Sequence, residues 1–219
     1  MIRVKICGIT NWPDAKVACD LGAAALGFNF YEKSSRALSP ADAWNIIHRV
    51  PHTATAVGVF VNWSAAAIIA FGNALSLESV QLHGDEPASV VKLCAKRFWV
   101  SKAFTVGPRF QLKKLRRYGA ASAFLFDGAR AGQYGGTGQP TDWVLAQRAA
   151  KSHHIILAGG LTPENVGEAI RFVCPYAVDV ASGVESRPGK KDRGKLRAFF
   201  AEVERANREL TALARAKQR

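Results

Sequence analysis

The feature that most restricts the fold of this chain is an alternation of short β-branched and aromatic runs with segments of helical periodicity, repeated eight times. Such an alternation is typical of successive βα units, which build a parallel sheet covered by helices. A chain of 219 residues has room for eight units in one domain. The predicted strands are 3–7, 25–30, 56–61, 79–82, 98–103, 123–127, 155–158 and 177–180.

Periodicity alone does not separate a closed barrel from an open, doubly wound sheet. The count of eight units favours the barrel, and so do the positions of the unusual residues. Cys7, Asp127, Gly159 and Ser182 all lie at or just past the ends of predicted strands, where the active sites of these barrels are built. We therefore predict an α/β protein with a single (β/α)8 TIM barrel.

The barrel is predicted to span residues 1–205, and a basic helical extension that frays or projects follows over 206–219. Two helix starts carry a hydroxyl directly before a proline, at Ser39 and at Thr162. A hydroxyl at the N-cap accepts a hydrogen bond from the first turn, and proline suits the first helical position. Both residues are therefore predicted N-caps.

The charge of the chain is strongly positive, with a net charge of +13 at pH 7. From residue 190 onward there are ten Lys or Arg against four Asp or Glu, which gives +6 in that segment alone. Because no aromatic residues alternate with its last basic residues, a solvated helix end is favoured over a nucleic-acid-binding surface. No run approaches the roughly 18 apolar residues of a membrane span, and the first residues lack a signal-peptide pattern. We expect a cytoplasmic protein that binds neither nucleic acid nor membrane.

The four cysteines lie far apart, at positions 7, 19, 94 and 174, with no CxxC pair. Neither a metal site nor a disulfide framework is indicated, and we expect no metal and no cofactor.

Three glycine-rich segments follow predicted strands six, seven and eight. In (β/α)8 barrels the loops after strands seven and eight usually form a phosphate site, and glycine lets backbone amides approach an anion closely. The residues predicted to bind a substrate phosphate are Gly135, Gly136, Thr137, Gly138, Gly159, Gly160, Ser182 and Gly183.

Six motifs run in order along the chain. They are residues 5–10, 58–62, 80–84, 135–138 with Asp142 and Trp143, 157–166, and 178–185. In this combination the chain resembles the phosphoribosylanthranilate isomerase family from residue 5 to about residue 192. The resemblance implies an Amadori rearrangement of N-(5-phosphoribosyl)anthranilate to 1-(2-carboxyphenylamino)-1-deoxyribulose 5-phosphate, a step of tryptophan biosynthesis. It also implies a small-molecule substrate and, for a mesophilic member, a monomer.

The resemblance assigns the general base to Cys7 and the general acid to Asp127, and it places Arg36 at the anthranilate carboxylate. Asp179, in the last motif, is included among the predicted substrate-binding residues. Acid and base chemistry at neutral pH requires an ionised thiol and a protonated carboxyl. We expect a phosphate, nearby cations and helix N-termini to favour the Cys7 thiolate and so lower its pKa, and an apolar lining behind Phe124 and Phe126 to keep Asp127 protonated.

Three positions depart from the family pattern: Ser35 replaces a proline, Thr141 a phenylalanine and Ala181 a serine. None of the three changes removes an acid or a base. Ser35 predicts a less rigid loop before Arg36. Thr141 predicts altered packing near the anthranilate ring, and Ala181 predicts the loss of a hydroxyl near the phosphate.

Two further predictions concern polar residues in the strands. His83 ends strand four, and a hydrogen-bonded structural role is favoured over a catalytic one. Lys5 alternates to the same side of its strand as Cys7, into the barrel, and so does Asp179 in the neighbouring last strand. Because a buried ammonium needs a partner, we predict a Lys5–Asp179 ion pair beneath Cys7.

Two alternative functions fit parts of the pattern. One is another sugar-phosphate isomerase or epimerase on the same barrel, since the phosphate loops are shared widely. The histidine-pathway relatives use aspartates at the ends of strands one and five, where this chain carries Cys7 and Ala103. The other is a basic nucleic-acid-binding protein, which leaves Cys7 and Asp127 unexplained.

Overall fold

Eight parallel strands close into a barrel in the computed structural model, which describes residues 1–128 and 141–216. Each strand pairs with the next along the chain, and β8 pairs with β1. The strands are β1 Arg3–Cys7, β2 Ala25–Asn29, β3 Thr55–Phe60, β4 Ser79–Leu82, β5 Trp99–Thr105, β6 Ala123–Asp127, β7 Ile155–Leu157 and β8 Ala177–Val180. The predicted (β/α)8 barrel is confirmed. The largest error in a strand end is at β5, which ends at Thr105 and not at residue 103.

Helices cover the outside of the barrel. They are α1 Trp12–Asp20, α2 Pro40–Ile47, α3 Ala65–Ala74, α4 Ala88–Cys94, α5 Trp143–Ala150, α6 Val166–Val173 and α7 Arg193–Ala216. A 3-10 helix, Leu112–Tyr118, stands between β5 and β6. After β8 come a short 3-10 helix, Ser182–Val184, and a hairpin of β9 Glu185–Arg187 with β10 Lys190–Lys191.

Of the two predicted N-caps, one is confirmed and one is wrong. The Ser39 hydroxyl accepts a hydrogen bond from the Asp42 amide at 3.1 Å, and α2 begins at Pro40. Thr162 does not cap α6, whose N-cap is Asn165. The Asn165 side chain accepts from the Thr162 amide and donates to the Gly160 carbonyl, and these two bonds hold the segment as a turn ahead of the helix.

Two apolar layers follow from the alternation of side chains along the strands. Outward-facing residues such as Ile6, Leu26 and Phe28 are fully buried against the helices. The inward-facing cluster is made mostly of small residues, Ala103, Ala123, Leu125, Ile156, Ala158 and Ala177. Small interior side chains leave room inside the barrel for polar groups nearer the carboxyl ends of the strands.

The last helix packs across the beginning of the chain. Asn207, in α7, accepts a hydrogen bond from the Ile2 amide at 2.7 Å and donates to the Ile2 carbonyl at 3.2 Å. The helix runs without a break from Arg193 to Ala216, so a boundary near residue 205 stays a prediction. None of the helices in the two described stretches is long and apolar enough to cross a membrane.

The barrel is closed between its first and last strands by a buried ion pair. Lys5 and Asp179 are partners in the β1–β8 register, and the Lys5 Nζ donates to Asp179 Oδ1 at 2.8 Å. Both side chains are less than one-tenth exposed, so the predicted pair is confirmed. Burial lowers the pKa of Lys5, but Asp179 and Cys7 outweigh that effect and the pKa is raised, which keeps the ammonium charged.

Breaking this pair from one side should destabilise the fold more than removing both charges. We expect Asp179→Asn to lower the free energy of unfolding by about 3–5 kcal/mol, because a buried cation is left without its partner. Lys5→Met combined with Asp179→Asn should cost clearly less than the single change. Urea unfolding measures both, and Asp20→Asn, which breaks the exposed Lys16–Asp20 pair, is the control with little expected effect. A double variant as unstable as the sum of its two single variants would contradict the prediction.

Candidate active site

One pocket opens at the carboxyl ends of the strands and brings most of the predicted site residues together. Its wall includes Cys7, Arg36, Asp127, Gly159, Gly160, Asp179, Ser182 and Gly183. Apolar and polar residues of β2, β3 and β4 complete it, among them Asn29, Val59 and His83. The other predicted phosphate-binding residues, Gly135, Gly136, Thr137 and Gly138, lie outside the described residues. The functional role of each of these residues stays a prediction.

Cys7 ends β1 on one side of the pocket, directly opposite a glycine. Cys7 and Gly27 are register partners in the β1–β2 pair. A Cβ placed on Gly27 would lie 2.7 Å from Cys7 Sγ and 3.1 Å from Lys5 Nζ. The sulfur therefore occupies space that is available because residue 27 has no side chain.

The pKa of the Cys7 thiol is raised, not lowered as the sequence led us to expect. Burial is the largest cause, because it disfavours the thiolate. The Lys5 ammonium lowers the pKa, the Asp179 carboxylate raises it, and the Lys191 ammonium lowers it. The cations offset part of the effect of burial and do not reverse it, so the expected lowering is wrong.

Asp127 ends β6 and lies beside His83. The distance from His83 Nε2 to Asp127 Oδ2 is 3.5 Å. On the other edge of the ring, the Gln81 amide nitrogen is 2.6 Å from His83 Nδ1. The two ring nitrogens of His83 therefore face the Gln81 side-chain amide and the Asp127 carboxyl. The predicted hydrogen bonding of His83 is thus confirmed.

The loops after β7 and β8 touch each other at the pocket. Gly159 and Gly160 have φ angles of +83° and +64°, which favour glycine. A Cβ on Gly183 would overlap the carbonyl oxygen of Leu161, so a side chain at position 183 would force the two loops apart. This close approach places both glycine segments at one edge of the pocket, as a shared anion site requires.

One of the positions that depart from the family pattern has a side-chain contact that explains how it fits. The buried Thr141 hydroxyl donates to the Ala158 carbonyl at 2.7 Å and ties the start of α5 to the end of β7. Ala181 precedes the short 3-10 helix, and its backbone carbonyl accepts from Lys191 Nζ at 3.2 Å, a contact that does not depend on the side chain. Nothing in the structure explains the replacements at Ala181 and at Ser35, which lies in the loop that leads to Arg36.

Arg36 reaches the pocket from the loop between β2 and α2, held by a carboxylate that the sequence did not mark as functional. Its Nε and Nη2 donate to the two oxygens of Glu185 at 2.9 and 2.7 Å. The buried Lys191 Nζ donates to the same carboxylate at 2.9 Å. Glu185 is the one acidic residue between Asp179 and Asp192 and ends the last motif, which is the signal that could have revealed it.

Comparison with known proteins decides the family. The model of the family described as N-(5'phosphoribosyl)anthranilate (PRA) isomerase matches residues 4–202. The chain belongs to the N-(5'-phosphoribosyl)anthranilate isomerase family. It is an isomerase by that membership, and the family's reaction is a step of tryptophan biosynthesis.

Individual relatives of this isomerase family agree with the match. The N-(5'-phosphoribosyl)anthranilate isomerase of Pelobacter propionicus is 46% identical over 200 residues, which are 91% of this chain and 94% of that protein. The crystal structure of the Thermotoga maritima isomerase is 41% identical with a TM-score of 0.86, covering 93% of this chain and 99% of that one. A further isomerase structure, in complex with reduced 1-(o-carboxyphenylamino)-1-deoxyribulose 5-phosphate, is 39% identical with a TM-score of 0.83 over 93% and 99%.

The comparison of strand ends with the histidine-pathway relatives needs one correction. Because β5 continues past Ala103, its end residue is Thr105, which is the register partner of Asp127. A hydroxyl and not a carboxylate therefore stands at the end of β5. The distinction from an enzyme with aspartates at strands one and five is unchanged.

The geometry at Cys7 predicts the effect of a single methyl group. Gly27→Ala places a Cβ within 2.7 Å of the Cys7 sulfur and should displace it. A displacement near 1 Å costs on the order of 100-fold in rate. Turnover and the rate of Cys7 alkylation by iodoacetamide measure the change. Gly107→Ala, where nothing lies within 4 Å of the added Cβ, is the matched control; equal activity of the two variants would contradict the prediction.

Proposed function

We propose that the chain catalyses the Amadori rearrangement of N-(5-phosphoribosyl)anthranilate with Cys7 as general base and Asp127 as general acid. The product is 1-(2-carboxyphenylamino)-1-deoxyribulose 5-phosphate. The observation that carries these roles is the position of the two residues, at the ends of β1 and β6 on the wall of one pocket. Glycine loops and a guanidinium at the same pocket suit the two anionic ends of the substrate.

The reaction needs one proton delivered and one removed. Asp127 protonates the furanose ring oxygen, the bond between that oxygen and C1 breaks, and a Schiff base forms between C1 and the anthranilate nitrogen. The Cys7 thiolate then removes the proton from C2, which leaves an enolamine. The enolamine becomes the ketone by gaining a proton at C1 and losing the proton of the C2 hydroxyl.

Substrate anchoring is divided between the two ends of the molecule. The backbone amides of the loops after β7 and β8 hold the phosphate. The main donors are the amides of Gly160, Ser182 and Gly183, where the two loops meet. The planar guanidinium of Arg36 suits the anthranilate carboxylate. The residues at 135–138 are proposed to contribute to the phosphate end. Fixing both ends holds C1 and C2 between the acid and the base.

Removing the acid or the base should remove most turnover. We expect Cys7→Ala and Asp127→Asn each to lower kcat by at least about 100-fold, the scale of general acid and base catalysis. The substrate is made in situ from anthranilate and phosphoribosyl pyrophosphate with the preceding transferase, and loss of its fluorescence follows the reaction. Cys174→Ala and Asp20→Asn, at exposed positions, are the matched controls. A Cys7 or Asp127 variant with near-normal kcat refutes the role proposed for that residue. An inactive wild-type protein refutes the proposed function.

The raised pKa of Cys7 has a consequence for the reactivity of its sulfur. A thiol with a raised pKa is mostly protonated at neutral pH, so the thiolate fraction grows as the pH increases. We expect the rate of Cys7 alkylation by iodoacetamide to rise steadily from about pH 7 to pH 9. Alkylation depends on the Cys7 thiolate alone, whereas kcat/KM also depends on a protonated Asp127. Mass spectrometry of the peptide that contains Cys7 gives the rate at each pH, and a flat or falling rate over this range would contradict the raised pKa.

We further infer a cytoplasmic monomer. The enzyme of Thermotoga maritima is described as dimeric, so the association state needs its own measurement. Light scattering after size-exclusion chromatography distinguishes 23.7 kDa from twice that mass.

A further inference from the structure

The hairpin after β8 lies outside the barrel sheet and yet buries two charged residues. Glu185 begins β9 and Lys191 ends β10. Their side chains are 4% and 0% exposed. Charged residues that are buried this deeply cost free energy unless their hydrogen bonds are satisfied, so their contacts show what the hairpin holds in place.

The carboxylate of Glu185 lies between two cations. Oε1 accepts from Arg36 Nε and from Lys191 Nζ, each at 2.9 Å, and Oε2 accepts from Arg36 Nη2 at 2.7 Å. Two parallel bonds to one carboxylate fix the plane of the guanidinium. Burial raises the pKa of Glu185, but Arg36 and Lys191 outweigh it and the pKa is lowered, so Glu185 is ionised at neutral pH.

The ammonium of Lys191 uses all three of its donors. Besides Glu185, it donates to the Cys7 carbonyl at 2.6 Å and to the Ala181 carbonyl at 3.2 Å. Its own backbone amide donates to Asp14 Oδ2 at 2.8 Å, which anchors the hairpin to α1. One side chain therefore joins the backbone of the Cys7 strand end to the residue directly before the Ser182–Val184 helix.

The side-chain cluster of Arg36, Lys191 and Glu185 carries a net charge of +1 next to the pocket. Burial lowers the pKa of Lys191, while the Glu185 carboxylate favours the charged ammonium. Within residues 1–128 and 141–216, the remaining Arg36 nitrogen, Nη1, has no hydrogen-bond acceptor. A single carboxylate that bound there would neutralise the cluster and accept the remaining donor.

We propose that Glu185 and Lys191 are positioning residues of the reaction: Glu185 orients Arg36 for the substrate carboxylate, and Lys191 joins Cys7 to the Ser182–Val184 helix and so keeps its cation next to Cys7. The hairpin thereby sets the distances between the carboxylate end, the base and the phosphate end of the site. This inference rests on the proposed function, because it needs Arg36 to bind the carboxylate and Cys7 to act on the substrate.

The first test distinguishes two possible effects of Glu185: it orients Arg36 for the substrate carboxylate, or it only competes with that carboxylate for Arg36. Glu185→Gln removes the charge and one of the accepting oxygens while keeping the shape. If Glu185 orients Arg36, affinity for the reduced product analogue should fall about tenfold or more, the scale of a lost charge-assisted hydrogen bond, and KM should rise with kcat within a few-fold of wild type. Affinity for the same analogue built on aniline, which lacks the carboxylate, should change little.

The contrary outcomes are distinct. Unchanged or tighter binding of the carboxylated analogue by Glu185→Gln overturns the orienting role, since Glu185 would then only compete with the substrate. Equal losses for both analogues point to a general structural defect and also overturn it. A wild-type protein that turns over no substrate refutes the proposed function, whereas an active wild type with an unaffected Glu185→Gln refutes this inference alone.

The second test reads the effect of Lys191 on Cys7 without using turnover. The charged groups around the sulfur are Lys5 and Asp179 from the barrel, Lys191 from the hairpin, and Arg36 from the loop after β2. The Lys191 cation lowers the pKa of Cys7, so its removal should shift the pH profile of Cys7 alkylation upward. At about pH 8 the alkylation rate of Lys191→Met should be several-fold lower than that of wild type. Mass spectrometry of the peptide that contains Cys7 measures this rate apart from the other cysteines.

Two companion variants keep this test decisive. Lys191→Gln keeps donors for the two carbonyls and loses the charge, so it should fold and show the same upward shift if Lys191→Met does not fold. Lys190→Met changes the net charge by the same amount at the exposed neighbouring position and should leave the profile at the wild-type position. An unshifted profile in a folded Lys191 variant, or an equal shift in Lys190→Met, overturns the role of Lys191.

Discussion

The ion pair between Lys5 and Asp179 is the interaction on which the rest of the site depends. It joins the first and last strands of the barrel, and Cys7 follows two residues after Lys5 on the same face. A cation at this depth in the barrel acts in two ways. It satisfies the Asp179 carboxylate, and it offsets part of the cost of ionising the buried thiol above it. Barrel closure and the ionisation of the proposed base, Cys7, are therefore linked through one ammonium group.

The division of charge around the pocket follows from this arrangement. The side formed by β8, β1 and the hairpin carries two buried ion pairs, Lys5 with Asp179 and Lys191 with Glu185. The side formed by β6 presents Asp127, whose carboxyl lies 3.5 Å from His83 Nε2, and His83 is held on its other edge by Gln81. The predicted acid and base thus stand in different surroundings. Such a difference lets one site hold both a proton donor and a proton acceptor at the same pH.

Much of this could be predicted from local patterns in the sequence, because strand alternation and strand ends are local signals. The eight strands and the Lys5–Asp179 pair followed from periodicity and from which face a side chain takes, and the Ser39 cap followed from a hydroxyl directly before a proline. The Glu185 and Lys191 contacts could not be found in that way. They join residues separated by 149 and 184 positions through a two-stranded hairpin with no periodic pattern. The raised pKa of Cys7 was missed because the cations were predictable and the extent of burial was not.

The bond between Asn207 and Ile2 has a consequence for how the protein is made. The partner of residue 2 is synthesised about two hundred residues after it. At roughly 5–20 residues per second on the ribosome, the first strand waits many seconds for both β8 and α7. Until then Lys5 has no carboxylate partner and the outward face of β1 has no final cover. The contacts between the two ends also form late in folding, because the chain must close its longest loop before they can stabilise it. The first strand can pair with β2 early, but its other edge lacks β8 for most of the synthesis of the chain. An open strand edge can pair with another chain, so this edge is exposed to aggregation until the last strand arrives.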